Sequence, residues 1–405
     1  MKRNFVEILV VVLISILILL LITLSSDLMT KSHVLYYNSW MHFGYIKTVK
    51  SFPDINLTAP FCWRLLAPFL VYIFPFSIET GYLLVTFSSI VASSVLVYFI
   101  AKHLFTELYY PWIGVLTYFS LIFVVRMNVI EFISVDSLAF MFMLLSIYSI
   151  YKKNNLLFII STTLGILTKE TLFIVFPLYF TLNYRSHYNR GYYYNLIYRT
   201  FLVSLPAIII YIFLRILIIP KEPYNYFELL TYISKYRFDS ILGLISTLNK
   251  NLFVHQNAFE NILINIYRIT FGAIGPIIFF IILKSKANLS NILRLSPLIV
   301  LSFLQIFIAI DNERLIMTGF PAYVLLYLYS IYFLVKENNI DIKYFIIYSI
   351  INLISQFVLT KDYYQQTYYS VVLQLILGLL MLAVIYMKFY IRSSKQYKRE
   401  KQTEQ

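Results

Sequence analysis

The sequence predicts an all-α membrane protein, a helix bundle of about 12 transmembrane spans (about 11–13). Of its 405 residues, 60% are hydrophobic and only 13% are charged, which is too apolar for a soluble chain of ordinary domains. Between charged breaks lie apolar stretches of roughly 17–25 residues, the length that a helix needs to cross the hydrocarbon core. We therefore expect residues 1–390 to form one transmembrane domain.

The first predicted span follows Lys2 and Arg3, and the last ends at residue 390. No small-residue cleavage site follows the first apolar stretch, so we interpret it as a retained helix and not a signal peptide. A further half-span is predicted at residues 65–76. The predicted spans are residues 8–24, 80–100, 111–125, 137–151, 156–168, 171–183, 200–219, 262–283, 295–310, 316–335, 344–360 and 369–390.

Basic residues predict the orientation of these spans. With both termini in the cytoplasm, the cytoplasmic segments contain more than half of the 33 Lys and Arg residues and few acids. This is the distribution that the positive-inside rule requires, and the inverse orientation would violate it. The net charge of +14 therefore indicates topology, and nucleic acid is not an expected partner. Residues 391–405 should form a basic cytoplasmic tail that is attracted to anionic lipid.

Two predicted outer loops, residues 25–79 and 220–261, are too long to be simple helix connections. Both are rich in Tyr and Phe, and the first also contains Trp. Aromatic side chains at a membrane surface more often anchor the chain than contact a substrate. We therefore regard both segments as candidate functional loops and assign no aromatic side chain to a site.

Charged residues approach the membrane on the predicted outer face at four places. Ionisable groups near or within spans are costly, so their presence favours a functional role. The predicted topology, which was derived from the basic residues, puts all four places on one face of the bundle. They contain Arg64, Asp136, the neighbours Lys169 and Glu170, and the pair Asp311 and Arg314.

Each of these groups also has a structural interpretation. Asp311 and Arg314 are three residues apart and are able to pair across a helical turn. Asp136 opens the fourth span, where an acid either caps the helix or takes part in catalysis. Lys169 and Glu170 are adjacent, so they do not share a helix face, and each needs another partner or water. For this pair a functional role is favoured.

Several site types lack support in the sequence. The single cysteine, Cys62, excludes an intramolecular disulfide. His33 and His42 lack the spacing of metal ligands. The absence of a P-loop, of G-x-G-x-x-G and of G-x-S-x-G leaves nucleotide hydrolysis and serine hydrolase chemistry without a motif.

The order of these motifs resembles the GT-C superfamily of polytopic glycosyltransferases, with a mannosyltransferase-like pattern over most of the chain. The likeness rests on the long first outer loop, the run from Pro60 to Pro68 around Arg64, Asp136, residues 164–170, and the 311–314 turn followed by Phe320-Pro321. It implies transfer of a sugar from a polyprenyl-phosphate carrier to a glycan, lipid or protein acceptor. That reaction would occur at the outer face of a bacterial plasma membrane, with membrane lipid around the protein.

The resemblance also implies roles for the charged residues. A carboxylate would deprotonate the acceptor hydroxyl, and cations would stabilise the departing lipid phosphate. The candidate bases are Asp54, Asp136 and Glu170. Candidate substrate and phosphate ligands are Arg64, Lys169, Asp311 and Arg314. A divalent metal ion that bridges carboxylates and phosphate is a further option, whereas no metal ligands are assigned.

One position departs from the family pattern. Such enzymes carry a catalytic aspartate early in the first outer loop, where residues 36–45 of this chain have Asn38. An amide cannot accept the proton, so Asp54, Asp27, Asp136 or Glu170 would have to serve instead, or activity has been lost.

Two other classes of function remain open from the sequence. A polysaccharide polymerase or ligase of the O-antigen type would share the helix count and the outer-face chemistry, but it would carry more arginines in a late outer loop than Arg237 and Arg268. A flippase or transporter of lipid-linked glycans would place charges near the membrane midplane on helices broken by Gly or Pro. The chain has only 10 Gly, and its charges lie at predicted helix ends.

Overall fold

A computed structural model describes residues 2–26, 28, 40–54, 60–184, 190–220, 277–304, 316–355, 357, 373 and 376–387. Over these residues the chain is helical and contains no strand. The α-helices are α1 (Lys2–Leu24), α2 (Trp40–Ser51), α3 (Leu66–Ile73), α4 (Ile78–Leu104), α5 (Tyr109–Ser120), α6 (Arg126–Ile130), α7 (Asp136–Tyr151), α8 (Asn155–Thr168), α9 (Val175–Asn183), α10 (Arg190–Leu217), α11 (Ile277–Leu283), α12 (Ser285–Leu304), α13 (Phe320–Asn338), α14 (Ile342–Ser355) and α15 (Ile376–Met387). Three 3-10 turns lie at Phe61–Trp63, Glu170–Ile174 and Met317–Gly319.

Within the described residues, five helices are long and apolar enough to cross a membrane. They are Phe5–Leu24, Ile78–Leu104, Arg190–Leu217, Ser285–Leu304 and Met317–Asn338. Other apolar helices are shorter, such as α7 with 16 residues, which spans about 24 Å at 1.5 Å per residue. The chain is thus an all-helical protein with the apolar helices of a membrane protein. The number of about 12 spans stays a prediction.

The centre of the bundle is built from α4, α5, α7 and α13. Helix α7 packs against α4 and α8, and α5 packs against α4 and α14. Helix α13 packs against α11 and α12 and is the most enclosed of the five long helices. By contrast, α1 and α10 bury only a small part of their apolar surface inside the protein. Their remaining surface suits contact with lipid chains.

Small polar side chains join several helices in the interior. Ser15 and Ser94 share a hydrogen bond of 2.6 Å between α1 and α4, and Ser146 and Ser161 share one of 2.8 Å between α7 and α8. Asn288 donates to Ser330 across α12 and α13 at 2.7 Å. Contacts of this kind are common where helices meet in membrane proteins, because hydrophobic burial alone does not distinguish a helix partner from lipid.

The structure differs from the sequence prediction in several regions. Helices α10 and α12 begin ten residues before the predicted spans 200–219 and 295–310. The predicted span 111–125 ends as a helix at Ser120, and the chain then turns through α6 before α7 begins. The predicted outer loop 25–79 contains α2 and α3, and α3 corresponds to the predicted half-span at 65–76. The predicted loop 220–261, apart from residue 220, and the predicted tail 391–405 lie outside the described residues.

The bundle has two chemically different ends. At one end Lys102 pairs with Glu7, Lys284 pairs with Glu337 at 2.9 Å, and the rings of His103 and Tyr151 are 6.1 Å apart. We call this the basic end, because these lysines belong to the segments that the sequence predicts to be cytoplasmic. The other end, where α7 begins and α8 and α10 finish, contains the candidate site and is called the site end.

Candidate functional site

A tight turn at residues 60–64 positions the first arginine of the site. Phe61 and Cys62 are fully buried within the 3-10 turn, and the ring of Tyr45 meets that of Phe61 edge to face at 4.9 Å between centroids. Gly44 lets the Phe61 ring lie directly against the backbone of α2, since a Cβ atom there would collide with it. The anchored turn fixes the direction in which Arg64 leaves the backbone.

Arg64 forms a two-pronged ion pair with Glu170. Its Nε donates to Oε2 of Glu170 at 3.0 Å, and its Nη2 bonds Oε1 of the same carboxylate. The remaining nitrogen, Nη1, donates to the hydroxyl of Tyr45 at 3.1 Å. Parallel bonds between a guanidinium and a carboxylate are among the strongest side-chain contacts and fix both groups in one plane.

A second ion pair lies deeper in the protein. The Nζ of Lys169 donates to Oδ1 of Asp136 at 2.6 Å, and the two side chains are only 11% and 2% exposed. Asp136 lies in the first turn of α7, where its charge is favourable to the helix dipole. The cap position itself is occupied by Val135, and Asp136 is the first residue of the helix. Asp136 therefore joins a favourable helix position with the ion pair to Lys169.

The backbone at Lys169 explains why two neighbouring charges have different partners. Helix α8 ends at Thr168, and Lys169 is extended, with φ −161° and ψ 134°, before the 3-10 turn begins at Glu170. Successive side chains of an extended backbone point to opposite sides. Lys169 thus reaches Asp136 while Glu170 reaches Arg64. The expectation that each residue has a partner other than its neighbour is confirmed.

Close packing holds this break in place. The 170–174 turn folds back over α8, and Leu172 lies against Gly165 at a distance that leaves no space for a Cβ atom. Phe142 of α7 closes the same space from the other side, with its Cβ 3.1 Å from the position of that absent atom. The ion pairs are thus mounted on a rigid corner made by α7, α8 and the turn.

The charge of Arg64 keeps Glu170 ionised. Partial burial raises the pKa of the Glu170 carboxyl, but the positive charge of Arg64 and the hydrogen bonds to it act more strongly in the opposite direction, with a smaller effect of Lys169. The pKa of Glu170 falls from 4.5 to about 2. In this arrangement the Glu170 carboxylate is a weak base, and it becomes a stronger one only when Arg64 turns to another anion.

Of the other three predicted site residues, the structure describes only Asp54. Asp54 is exposed, three residues beyond the end of α2. Asp311 and Arg314 lie outside the described residues, as do Asn38 and Asp27. The structure therefore brings together four of the seven predicted residues: Arg64, Asp136, Lys169 and Glu170.

Three polar residues near the site were not singled out from the sequence. Tyr45 completes the hydrogen bonding of Arg64, and an aromatic residue of a long loop carries no sequence signal for that role. Arg126 is 3% exposed and donates to the carbonyl of Ser25 at 3.4 Å. Arg215, whose guanidinium lies 3.3 Å from the ring centroid of Trp63, was visible in the sequence as a lone charge inside a predicted span.

The donor set does not favour a metal ion held by the protein. Among the described residues, no group of three or more His, Cys, Asp or Glu side chains is arranged to hold one. Asp136 and Glu170 each face a cationic side chain, and those charges already balance the carboxylates.

Comparison of the chain with protein-family models, with curated proteins and with solved structures finds no match.

Proposed function

We propose that this protein is a membrane glycosyltransferase that moves a sugar from a polyprenyl-phosphate carrier to a glycan, lipid or protein acceptor. The observation that carries the proposal is the Arg64–Glu170 pair, at the end of an apolar helix bundle. An arginine fork that binds a carboxylate in two parallel bonds has the same geometry for two oxygens of a phosphate.

The pair supports an exchange that couples substrate binding to proton transfer. When a carrier phosphate occupies the fork of Arg64, Glu170 loses the charge that lowers its pKa, while its partial burial still raises it. The carboxylate then gains basicity at the moment when substrate is present. Binding and activation of the base are thereby linked through one arginine.

The reaction follows from these roles. The acceptor hydroxyl gives its proton to Glu170, and its oxygen forms a bond to the anomeric carbon of the sugar. The bond between that carbon and the phosphate oxygen breaks, and the electron pair leaves with the carrier phosphate. Arg64 stabilises the charge that develops on that phosphate. The product is a glycoside, and the proton on Glu170 passes to water.

The deeper pair of Asp136 and Lys169 is assigned a positioning role. It is buried, and it fixes the extended residue that directs Glu170 towards Arg64. Asp136 also remains a candidate base, since it opens α7 at the same end of the bundle. Its more buried pair with Lys169 makes exchange with a substrate less favourable than for Glu170.

An apolar groove supports a lipid-linked donor. A space of about 670 Å³ lies between α1, α4 and α7, and Leu19, Leu84, Phe87 and Met141 contribute to its walls. Met141 is five residues along α7 from Asp136, a rise of about 7.5 Å. An isoprenoid chain in this groove would place its phosphate near the site end.

The test is sugar transfer by purified protein in lipid vesicles. Polyprenyl phosphates with different radiolabelled sugars are supplied together with a membrane extract that provides acceptors. We expect label to leave the carrier and enter a product, and we expect Arg64→Lys and Glu170→Gln to abolish this release. Glu337→Gln, which alters an ion pair at the basic end, is the matched control and should leave transfer unchanged.

Two results would contradict the proposal. Equal transfer by Glu170→Gln and the wild type would remove the carboxylate from the chemistry. Movement of intact labelled lipid between the two leaflets, with no bond to the sugar broken, would favour a flippase instead.

A further inference from the structure

Arg215 lies at the site end and has no acidic partner among the residues that the structure describes. Arg64 is neutralised by Glu170, and Lys169 is neutralised by Asp136. Arg215 instead lies over two aromatic rings, 3.3 Å from the centroid of Trp63 and 4.9 Å from that of Tyr211. Its buried Nε lacks a hydrogen-bond partner. The two ion pairs together with Arg215 therefore have a net charge of about +1.

The surroundings of Arg215 join it to the candidate site. The indole Nε1 of Trp63 donates to the carbonyl of Ile218 at 3.2 Å, which fixes the end of α10 against the 60–64 turn. One turn earlier on α10, the ring of Tyr211 meets that of Phe173 at 4.8 Å, and Phe173 belongs to the turn that begins with Glu170. The end of α10 thus contacts both segments that carry the Arg64–Glu170 pair.

Stacking leaves the hydrogen-bonding edge of the guanidinium available. An arginine uses the face of its plane against an aromatic ring, whereas all its N–H groups point outward within the plane. With Nε enclosed, the donors that remain are those on the two terminal nitrogens. They form the end of the fork, which binds two oxygens of one anion.

The position of Arg215 selects the kind of anion. Arg215 lies in the last turn of α10, a long apolar helix with most of its surface directed away from the protein interior. Trp and Arg side chains at the end of such a helix are typical of the membrane–water boundary, and the anion abundant at that depth is the phosphate of a lipid headgroup. Arginine is well matched to phosphate because its fork makes two bonds at once.

We propose that Arg215, supported by Trp63, binds the phosphate of a membrane lipid with a net negative headgroup, in contrast to zwitterionic phosphatidylcholine, and holds it beside Arg64. This phosphate would be that of the polyprenyl carrier, so the identity of the lipid rests on the proposed function. Binding at Arg215 would then precede the exchange at Arg64, because Arg215 offers its donors without breaking an ion pair.

Trp63 provides a direct signal for this binding. In a variant with Trp40→Phe and Trp112→Phe, Trp63 is the only tryptophan left of three, so its fluorescence reports the arginine that lies on it. The variant is reconstituted in phosphatidylcholine vesicles that contain increasing fractions of polyprenyl phosphate or phosphatidic acid. We expect a saturable change in Trp63 emission with these phosphomonoester lipids and none with phosphatidylcholine alone.

Substitutions on one helix supply the comparison. Arg215→Gln should weaken the response by about 10- to 100-fold, which is the effect of losing hydrogen bonds to a charged group. Arg190→Gln, at the other end of α10, is the matched control and should behave as the parent. A folding defect in the tryptophan variant or in Arg215→Gln would also weaken the response. The same lipids are therefore also scored by the rise in thermal stability of the otherwise unaltered chain and of Arg215→Lys. The lysine variant should show a smaller rise.

The outcomes separate this inference from the proposed function. Saturable lipid binding that needs Arg215, without any sugar transfer, supports the anion site and contradicts the transferase proposal. Transfer by the wild type with equal lipid binding by Arg215→Gln contradicts the anion site alone. A response to inorganic phosphate in water that equals the response to lipid would overturn the assignment to a lipid headgroup.

Discussion

At the scale of single residues, the two ion pairs differ in what their loss should do. The Asp136–Lys169 pair is nearly excluded from solvent, whereas the Glu170 side chain is one third exposed. A buried charge that loses its partner is strongly destabilising, but replacing both charges by apolar groups is often neutral or better. Changes to the Asp136–Lys169 pair should therefore mainly alter the free energy of unfolding, whereas changes to the Arg64–Glu170 pair should mainly alter protonation and ligand binding.

Asp136→Ala should destabilise the protein by about 3–5 kcal/mol, because it leaves the ammonium of Lys169 buried without its carboxylate partner. The double variant Asp136→Leu with Lys169→Met should recover most of that loss. Thermal unfolding in detergent measures both. A single variant as stable as the wild type would show that solvent reaches the pair.

The low pKa of Glu170 predicts a pH dependence with a defined sign. The folded-state pKa of about 2 lies below the ordinary glutamate pKa of 4.5, so the pair contributes its full stabilisation above about pH 4.5 and loses it as the pH falls through 2. Infrared difference spectra of wild type against Glu170→Gln should show an ionised carboxylate at pH 3. Added phosphorylated lipid should raise the pKa if it takes over Arg64, whereas an unchanged titration would rule out the exchange.

At the scale of elements, the corner between α8 and the 170–174 turn depends on Gly165. A methyl group there would collide with the side chain of Leu172, which is fully buried and has to be displaced. We expect Gly165→Ala to lower the free energy of unfolding by about 1–3 kcal/mol, as overpacking does, and to separate Glu170 from Arg64.

Gly114→Ala is the matched control for this change. Its added carbon would lie 3.3 Å from Leu328 and Val97, so smaller shifts are enough to accommodate it. Stability in detergent and binding of phosphorylated lipid are measured for both variants. Intact lipid binding by Gly165→Ala would show that the corner does not position the site.

The sequence predicts the helices far better than it predicts their partners. Apolar runs placed α4 and α7 within a few residues, because span length follows from the thickness of the membrane. The same criterion extended the span that begins at residue 111 through Val125, because the residues after Ser120 are also apolar. The hydropathy of the sequence therefore does not reveal that the helix ends before Arg126.

Pairing in three dimensions was beyond sequence patterns. Arg64 and Glu170 are 106 positions apart, and Asp136 and Lys169 are 33 apart. That adjacent charges need separate partners followed from helix geometry, but the identity of each partner depends on how α7, α8 and the 60–64 turn pack. The contacts that place Tyr45 and Arg215 at the site also depend on this packing and not on a sequence pattern.

At the scale of the whole molecule, the ionic groups divide between two ends of an apolar bundle. The basic end contains Lys102 and Lys284, whose segments the positive-inside rule assigns to the cytoplasm, and the site end lies away from it. Together these facts predict that the site opens on the outer side of the membrane.

Reporter fusions test this orientation directly. Fusions after Lys153 and Lys286 should report the cytoplasm, and a fusion near Lys50 should report the outside. Fusion after Arg190 gives a further cytoplasmic point. A cytoplasmic signal from the Lys50 fusion would invert the predicted topology and place the proposed chemistry on the inner face.

The extended backbone at Lys169 predicts which positions of the site change together in related proteins. It separates two neighbouring charges into two independent couples, one with Asp136 and one with Arg64. For folding, a change at position 170 should therefore need a compensating change at position 64 and none at positions 136 and 169, whereas the proposed transfer needs the original Arg64–Glu170 pair. An inserted residue between Lys169 and Glu170 would turn the Glu170 side chain to the opposite side of the backbone. Related proteins that keep both ion pairs should therefore keep these two positions adjacent.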